Sequence, residues 1–446
     1  MKKKLTAILL MCAMITASSC SGSTPAGTSA APADTTDTPA ATESAAETTS
    51  ADTAAPAETS EKAERVIPED SEYVIADGIT DRMKALSVLI DGNKARLAKA
   101  MQKAKNGEPI TVAYLGGSIT QGSSAGNDLC YARLTTNWFE KTFPESKITY
   151  VNAGIGATGS YIGVYRADRD VTCKDPDIVF VDFSVNDTTE HTERNKASYD
   201  GVLRKLWFSD SSPAVVTIAM TMENGTSFQK YHSEIAEAYD IPMISYHDAI
   251  LDVIKKGHII WDDISDDDIH PNVTGHAVLT EMITSYLQSV LDDIDNIDTS
   301  AESDLSAPFI SDKYSTAGLV LPGTPEVTNS TGWELKQDNF GNFGDSLRAL
   351  SRDGSFEGVE PLTFEVNAKS IGVFYGKMTT NGGVFDVVVD GETVKTIDTD
   401  FSGGWGNYLE AEEIIDFDTA GQHSVQIIPH TGKKGVVIIS ALAVTQ

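Results

Sequence analysis

Between residues 110 and 246, five short apolar runs rich in Val and Ile alternate with stretches of helical periodicity. Strands buried on both faces read as continuous apolar runs, and parallel strands need a long crossover, usually a helix, between them. The alternation therefore predicts an α/β fold, a three-layer α/β/α domain with a parallel sheet. The predicted strands lie at 110–115, 148–153, 177–184, 214–220 and 242–246, and the predicted helices at 93–105, 132–143, 198–208, 226–238 and 276–294.

The pattern changes beyond about residue 305. Strand-like segments continue without helical periodicity between them, at 362–367, 370–376, 384–398, 423–429 and 435–444. One of them contains Asp390-Gly391, a strong signal for a two-residue hairpin turn. We therefore predict an α/β domain over residues 64–300 and an all-β sandwich, jelly-roll-like, as an accessory domain over residues 305–446.

The first residues resemble export and anchoring signals. Residues 1–19 have the plan of a secretory signal peptide, with three lysines before an apolar run. TASSC (16–20) resembles a bacterial lipoprotein box with Cys20 as the lipidated residue, although Ala17-x-Ser19 also suits ordinary signal cleavage. Residues 20–63 are rich in Ser, Thr, Ala and Pro, which predicts a disordered tether. We expect an extracytoplasmic, cell-surface lipoprotein anchored to the membrane, or a secreted protein.

Charge and cysteine content narrow the possible partners. The formal net charge is −31, and so acidic a chain is a poor ligand for nucleic acid. Cys130 and Cys173 are the cysteines of the predicted folded part, and one disulfide or two free thiols are equal alternatives. No CxxC pair or His/Cys cluster has the spacing of a structural metal site, so no structural metal is expected.

The first apolar run ends in Gly116-Gly117-Ser118. Two glycines permit a sharp turn where a Cβ would clash, and the turn would deliver Ser118 to the start of a helix, among backbone N–H groups. An activated serine nucleophile needs this setting, but a plain serine N-cap has it too.

A base for that serine is found in DDDIHPN, residues 266–272. Asp267 precedes His270 by three residues, close enough in a turn to bond Nδ1 and leave Nε2 free to take a proton from a hydroxyl. A loop histidine among solvated acids is the alternative. None of the other histidines combines this spacing with a loop at the end of the α/β pattern.

Two more segments follow predicted strands. In FSVND (183–187), the side chain of Asn186 can donate to an oxyanion or simply form an Asx turn. In VNAGIGATGS (151–160), glycines can expose backbone N–H groups. This segment contains a literal GxGxxG at 154–159, with Asp182 at the end of the next apolar run, so a dinucleotide site is a rival hypothesis. The motif follows the second strand of the domain, however, and the hypothesis leaves Ser118 without a role.

Four blocks in order, GGSIT (116–120), NAGIGATG (152–159), SVND (184–187) and DDIHPN (267–272), resemble those of the SGNH/GDSL hydrolase superfamily. The resemblance covers about residues 90–290. It implies an SGNH-type α/β domain and ester hydrolysis through an acyl-enzyme, with Ser118 as nucleophile, His270 as general base and Asp267 as its orienting acid. Such a reaction needs no metal or organic cofactor. It also implies an oxyanion hole formed by the N–H of Ser118, the side chain of Asn186 and a backbone N–H of the second block.

Two departures from the family pattern matter. GGSI in place of GDSL resembles a carbohydrate-esterase branch. Ala157 stands where many relatives have the oxyanion glycine, with Gly156 just before it, so either residue can supply the N–H. Alanine suits this role unless its φ is positive. Together with the β-domain and the export signal, the resemblance implies that the substrate is an acetylated polysaccharide or oligosaccharide, namely a hemicellulose such as xylan or mannan.

The main alternative is a non-catalytic surface polysaccharide-binding lipoprotein, since a stalk and a β-domain both suit a binder. Trp405, in the glycine-rich stretch FSGGWGNY (401–408), can stack on a sugar ring. Core packing is nevertheless the commoner role of a tryptophan. An esterase or lipase that acts on another ester is a further alternative, although no long apolar lid segment favours a lipid substrate.

Overall fold

The alternating apolar runs form one sheet in the computed structural model, which describes residues 65–188, 191–338, 340 and 343–446. The predicted signal peptide, the tether and Cys20 lie outside the described residues. The strands of this sheet are β1 (Val88–Ile90), β2 (Ile110–Gly116), β3 (Ile148–Gly154), β4 (Ile178–Asp182), β5 (Ala214–Ala219) and β6 (Met243–Ser245).

The strand order is β1-β6-β5-β4-β2-β3. Strands β2 to β6 are parallel and coincide with the five predicted runs, whereas β1 is an antiparallel edge strand that the pattern does not predict. The chain leaves β2 for β3 on one side and then crosses to β4 on the other. At such a switch point the carboxyl ends of the strands open a crevice, which here lies beyond Gly116.

Helices cover both faces of the sheet, so the three-layer prediction is confirmed. The short helix α3 (Ser118–Gln121) follows β2 directly at the crevice. On one face lie α1 (Asp81–Ser87), α2 (Ala95–Lys105), α4 (Tyr131–Thr142), α8 (Tyr246–Lys255) and α9 (Val273–Asp292). On the other lie α5 (Ser160–Asp170), α6 (Thr192–Trp207) and α7 (Gln229–Ala238).

The chain beyond α9 forms an antiparallel β-domain, as predicted. Asp390 and Gly391 both have positive φ, +51° and +86°, as a type I′ turn requires, and they join two paired strands. The predicted segments 362–367 and 370–376 are a single long strand. The strands are β7 (Gly318–Val320), β8 (Val327–Asn329), β9 (Glu334–Asp338), β10 (Gly344–Ser351), β11 (Leu362–Lys377), β12 (Val384–Val389), β13 (Glu392–Asp398), β14 (Tyr408–Pro429) and β15 (Gly435–Thr445).

The β-domain shares a hydrophobic core with the α/β domain. Because side chains alternate along a strand, Ile371 of β11 points into the core of the β-domain, while Phe374 packs edge-on against Tyr165 of α5, with ring centroids 5.9 Å apart. At Gly372 a Cβ would lie 2.7 Å from the hydroxyl of Tyr161, so α5 approaches β11 closely. This packing fixes the β-domain loops beside the crevice.

Cys130 and Cys173 are both free thiols, the first buried and the second exposed, so the alternative of two free thiols is confirmed and the disulfide is not formed. Within the described ranges, none of the helices has both the length and the apolar character needed to cross a bilayer. Among the same residues, no group of three or more His, Cys, Asp or Glu side chains is arranged to hold a metal ion.

Candidate active site

The turn after β2 places Ser118 at the first position of α3, 8% exposed. Both preceding residues must be glycine because other groups occupy the space of a Cβ. At Gly116 a Cβ would lie 2.2 Å from Oγ1 of Thr120, and at Gly117 it would lie 2.1 Å from Oδ1 of Asn186. The two glycines therefore allow the end of β2 to pack directly against Thr120 and Asn186, the residues around Ser118.

The structure brings Ser118, His270 and Asp267 together. Nε2 of His270 lies 2.8 Å from Oγ of Ser118, and Nδ1 of His270 lies 2.8 Å from Oδ2 of Asp267. A carboxylate only accepts hydrogen bonds, so Nδ1 carries the proton and Nε2 is free to accept one from the hydroxyl. The simple N-cap role does not apply, since Gly117 occupies the N-cap position and Ser118 is the first residue of α3.

The loop that carries His270 is held by its own polar groups. The hydroxyl of Ser265 donates to the main-chain oxygens of Asp267 and His270, at 2.8 and 2.5 Å. The indole N–H of Trp261 donates to the main-chain oxygen of Asp267 at 2.7 Å. The side chain of Asn272 caps α9 directly afterwards. The imidazole is thus fixed between a braced turn and a helix start.

The charge on Asp267 is supported by this turn. Its partial burial alone would raise the pKa of the carboxyl, but the hydrogen bonds that it accepts outweigh this and lower the pKa below its ordinary value. The main-chain N–H groups of Ile269 and His270 donate to Oδ1 at 2.7 and 2.6 Å, while the imidazole donates to Oδ2. Asp267 is therefore ionised at neutral pH and holds the imidazole in one tautomer.

The structure brings the residues of the predicted oxyanion hole to the cleft of Ser118. Asn186, Gly156 and Ala157 line one cleft with Ser118, and the position of a Cβ on Gly156 lies 3.9 Å from Cβ of Ser118. Alanine was expected to suit this turn only if its φ is not positive, but the φ of Ala157 is +60°. An alanine in this left-handed region costs about 1–2 kcal/mol, so the turn keeps a backbone shape that glycine would adopt without strain.

A buried arginine ties the ends of β2 and β3 together. The guanidinium of Arg166, from α5, donates to the main-chain oxygens of Gly116 and Ala153 at 2.8 and 2.7 Å. Burial lowers its pKa, and the charge is balanced by Asp170 at 3.1 Å. Arg166 therefore fixes the two glycine turns relative to each other, a role that no sequence motif predicts.

The GxGxxG segment of the rival dinucleotide hypothesis belongs to this cleft, where Gly156 and Ala157 line the wall beside Ser118. Asp182, the acid that would bind a ribose, is only 2% exposed. Burial raises the pKa of its carboxyl to about 7, even though Ser184 donates to it. A carboxyl so enclosed is not available to a nucleotide.

The cleft is about 850 Å³ in volume and has walls from both domains. Trp405 is 63% exposed and lines it, so the preference for core packing of this residue is wrong. Its ring stacks on that of Tyr408, with centroids 4.8 Å apart, and Phe401 packs against both at 5.0 Å. Further lining residues that the sequence analysis missed are Gln121, Ser123, Val185, Met222, Ile269, Phe340, Asn407, Tyr408 and Leu409.

A hydroxyl bonded to an imidazole, which is in turn oriented by a carboxylate, is the arrangement with which serine hydrolases attack acyl groups. Here it lies at the carboxyl edge of a parallel sheet, where α/β enzymes hold their substrates. Fold and site together define a serine hydrolase of the α/β class.

Comparison with known proteins specifies the family. Residues 114–278 match the GDSL-like lipase/acylhydrolase family. A two-domain esterase (CEX) active on acetylated mannans is 32% identical, with a TM-score of 0.73, over 81% of this chain and 98% of that chain. A structure of such an esterase co-crystallised with mannopentaose is 31% identical over the same shares, with a TM-score of 0.72. The chain belongs to the GDSL-like lipase/acylhydrolase family and is a carboxylic ester hydrolase, which confirms the resemblance to SGNH/GDSL enzymes.

A more distant solved structure is that of Axe2, an acetylxylan esterase from Geobacillus stearothermophilus. It is 18% identical over 40% of this chain and 94% of that chain, with a TM-score of 0.36. No curated protein sequence matches the chain.

Proposed function

We propose that this protein is an acetylesterase that removes O-acetyl groups from an acetylated hemicellulose, with mannan as the first candidate, through an acyl-enzyme on Ser118. The observation that carries the proposal is the bonded series Ser118, His270 and Asp267 at the floor of a cleft with an aromatic wall. The 32% identical esterase, which is active on acetylated mannans, supports the choice of polymer.

In the first half of the reaction, Oγ of Ser118 attacks the acetyl carbonyl carbon while Nε2 of His270 takes its proton. The carbonyl oxygen becomes an oxyanion that faces the N–H of Ser118, a backbone N–H of the Gly156–Ala157 turn and the side chain of Asn186. Such donors strengthen as charge develops, and one alone contributes about 10²–10³ in kcat. Collapse of the intermediate expels the sugar oxygen, which takes the proton from His270.

In the second half, a water molecule attacks the acetyl-enzyme. His270 removes the proton of the water, the same donors hold the second oxyanion, and acetate leaves as Ser118 regains its proton. Asp267 stays ionised throughout, because its pKa lies below the ordinary value, and it stabilises the imidazolium that forms twice. Ser118, His270, Asp267 and the oxyanion donors together supply every step of this cycle.

The cleft favours an uncharged sugar chain. Among its described lining residues there is no lysine or arginine, while Asp267 and Asp268 contribute carboxylates. A polyanionic substrate would bring further negative charge to them without a cation in compensation. The exposed ring of Trp405 instead offers an apolar face, and sugar rings present C–H groups that pack on such faces.

The first test compares acetylated mannan, acetylated xylan and 4-nitrophenyl acetate as substrates of the wild type and of Trp405→Ala. We expect acetate release from a polymer, with Trp405→Ala raising KM for acetylated oligosaccharides by about 3–10-fold, the loss of one aromatic contact. Hydrolysis of the small ester should stay within about twofold, because its alcohol does not extend to the aromatic wall.

Phe208→Ala is the matched control, since Phe208 is an exposed aromatic residue at the end of α6, outside the cleft lining. Phe208→Ala should leave the kinetic constants for the acetylated oligosaccharides and for 4-nitrophenyl acetate unchanged. A wild type that releases no acetate from any of the three substrates would overturn the proposal and favour the polysaccharide-binding alternative. An equal loss on polymer and small ester in Trp405→Ala would assign that residue to support of the site and not to sugar binding.

We propose further that the enzyme works outside the cytoplasm, on a lipid anchor at Cys20. The support is the sequence alone, a signal-like run and a lipoprotein-box-like TASSC. Expression of the full chain with Cys20→Ala should move the protein from the membrane fraction to the medium or another soluble fraction. Unchanged membrane association of that variant would contradict the anchor.

A further inference from the structure

A fully buried carboxylate–imidazole pair, Asp187 and His232, lies next to Asn186 in the structure, and the mechanism above does not use it. Nε2 of His232 lies 2.9 Å from Oδ2 of Asp187, and the two side chains are 0% and 1% exposed. Taking charged groups out of water is costly, so a buried pair of this kind is weak evidence for stability. Its position relative to the oxyanion donors indicates another role.

Asp187 directly follows Asn186 and joins two segments of the site. Its Oδ1 accepts the main-chain N–H of Ser160 at 2.8 Å, and its own main-chain oxygen accepts from the side chain of Asn195 at 3.0 Å. A Cβ on Gly159 would lie 2.4 Å from that Oδ1, so the glycine permits this close approach. One carboxylate therefore connects the segment after β4 with the segment after β3.

These two segments carry different donors of the proposed oxyanion hole. Asn186 comes from the first and the Gly156–Ala157 turn from the second. We propose that Asp187 and His232 are positioning residues, which hold Asn186 at the distance from the Gly156–Ala157 turn that the tetrahedral oxyanion requires. The inference rests on the proposed function and deepens it.

His232 is itself held in one orientation. Its ring stacks on that of Tyr199 from α6, with centroids 3.5 Å apart and planes 8° apart. Phe228, just before α7, packs edge-on against the imidazole at 5.2 Å, and its N–H donates to the main-chain oxygen of Ser184 at 2.7 Å. Helix α7 is thus tied to the segment of Asn186 by its backbone as well as by His232, so the imidazole is a fixed donor to Asp187.

The expected effect is on the chemical step. An oxyanion donor binds the transition state more strongly than the ester, so its displacement lowers kcat and leaves KM nearly unchanged. A misplacement of about 1 Å in a positioned group costs on the order of 10²-fold in rate. A purely structural role would instead lower the amount of folded enzyme, with the kinetic constants of the remaining fraction unchanged.

The test uses His232→Phe, which keeps a ring for Tyr199 to stack on but cannot donate to Asp187. We expect kcat for 4-nitrophenyl acetate to fall by about 10–100-fold with KM within about threefold. His232→Gln, whose amide can donate to the carboxylate, should recover most of the loss. If His232→Phe fails to fold, Asp187→Asn/His232→Phe removes the unpaired charge, keeps an acceptor for Ser160 and tests the same loss.

Asp200→Asn is the matched control. Asp200 is a fully buried carboxylate on α6 that accepts from the hydroxyl of Tyr239 and the N–H of Ile310, at 2.5 and 2.6 Å. This variant should lower Tm and leave kcat per folded enzyme unchanged. It separates the cost of disturbing a buried carboxylate from the cost of moving Asn186.

A second readout uses the Asn186→Ala background. If His232 acts through Asn186, His232→Phe should cost no more than about threefold in kcat there, because coupled residues are not additive. An equal loss in both backgrounds, or an unchanged kcat in His232→Phe while the wild type is active, would overturn the inference. A wild type inactive on every ester would overturn the proposed function, and the inference with it.

Discussion

Replacement of Ser118 by alanine is expected to lower kcat/KM for every acetyl ester by about 10⁴-fold or more, because no other group can form the acyl-enzyme. The change removes one oxygen and its bond to His270, so Tm should stay within a few degrees. Rapid mixing of the wild type with 4-nitrophenyl acetate should release a burst of 4-nitrophenol, which is the sign of an acyl-enzyme that forms faster than it hydrolyses. Mass spectrometry of the quenched protein should then locate the acetyl group on Ser118.

Ser87→Ala is a suitable control for this variant. Ser87 is another buried serine of the α/β domain, 0% exposed, and its hydroxyl donates to the main-chain oxygen of Lys84 within its own helix. It should retain wild-type rates. If Ser118→Ala keeps more than about 1% of kcat, His270 activates water directly and the covalent mechanism is wrong, since triad serines account for far larger factors.

The sequence predicts the sheet well because its strands obey a simple physical rule. Strands β4 and β5 are buried along their whole length, so they appear as unbroken apolar runs between turn residues. The edge strand β1 has only three residues, two of them half-buried, and such a segment carries too little pattern to be separated from a loop. Short edges are set by their neighbours and not by their own sequence.

The sequence pattern does not predict helix α5, because the helix is buried too completely to show a polar face. Every residue from Ser160 to Ala167 is buried, because the sheet covers one side of the helix and the β-domain covers the other. Over these eight residues the helix has no exposed polar face by which an amphipathic helix is recognised. It also contains Arg166, whose buried guanidinium donates to strand-end carbonyls that no local pattern reveals.

The residues of the candidate site also fall into those that a local sequence pattern predicts and those that only the tertiary packing brings in. Ser118, Asp267 and His270 are found because a glycine turn and a DxxH spacing are local features, and their meeting follows from the order of the family blocks. The role of the β-domain in the cleft is not local. Trp405 lies far along the chain from the α/β domain, and the packing of the β-domain on α5 brings it to the cleft of Ser118. The preference for a core tryptophan is wrong because the glycines around it form an exposed loop.

Asp267→Asn is expected to lower kcat by about 10⁴-fold, although the variant changes a single atom. The lowered pKa of Asp267 means that the wild-type carboxylate is charged from neutral pH down to below the ordinary value of about 3.9, so Nδ1 keeps its proton throughout that range. The amide of asparagine would donate to Nδ1 instead, and Nε2 would then carry the proton and be unable to accept one from Ser118. Oδ1 still accepts from Ile269 and His270, so the turn and Tm should be preserved.

Asp266→Asn removes the same charge one residue away. Asp266 makes one long contact of 3.5 Å, with the side chain of Asn272, and should retain kcat within about twofold, as surface changes usually do. Steady-state rates on 4-nitrophenyl acetate between pH 5 and 9 decide the matter. Equal losses of kcat in both variants would show that the acidic loop acts through its total negative charge. A loss confined to Asp267→Asn would show that catalysis depends on the one carboxylate that bonds Nδ1 of His270, because both variants remove one negative charge from the same loop.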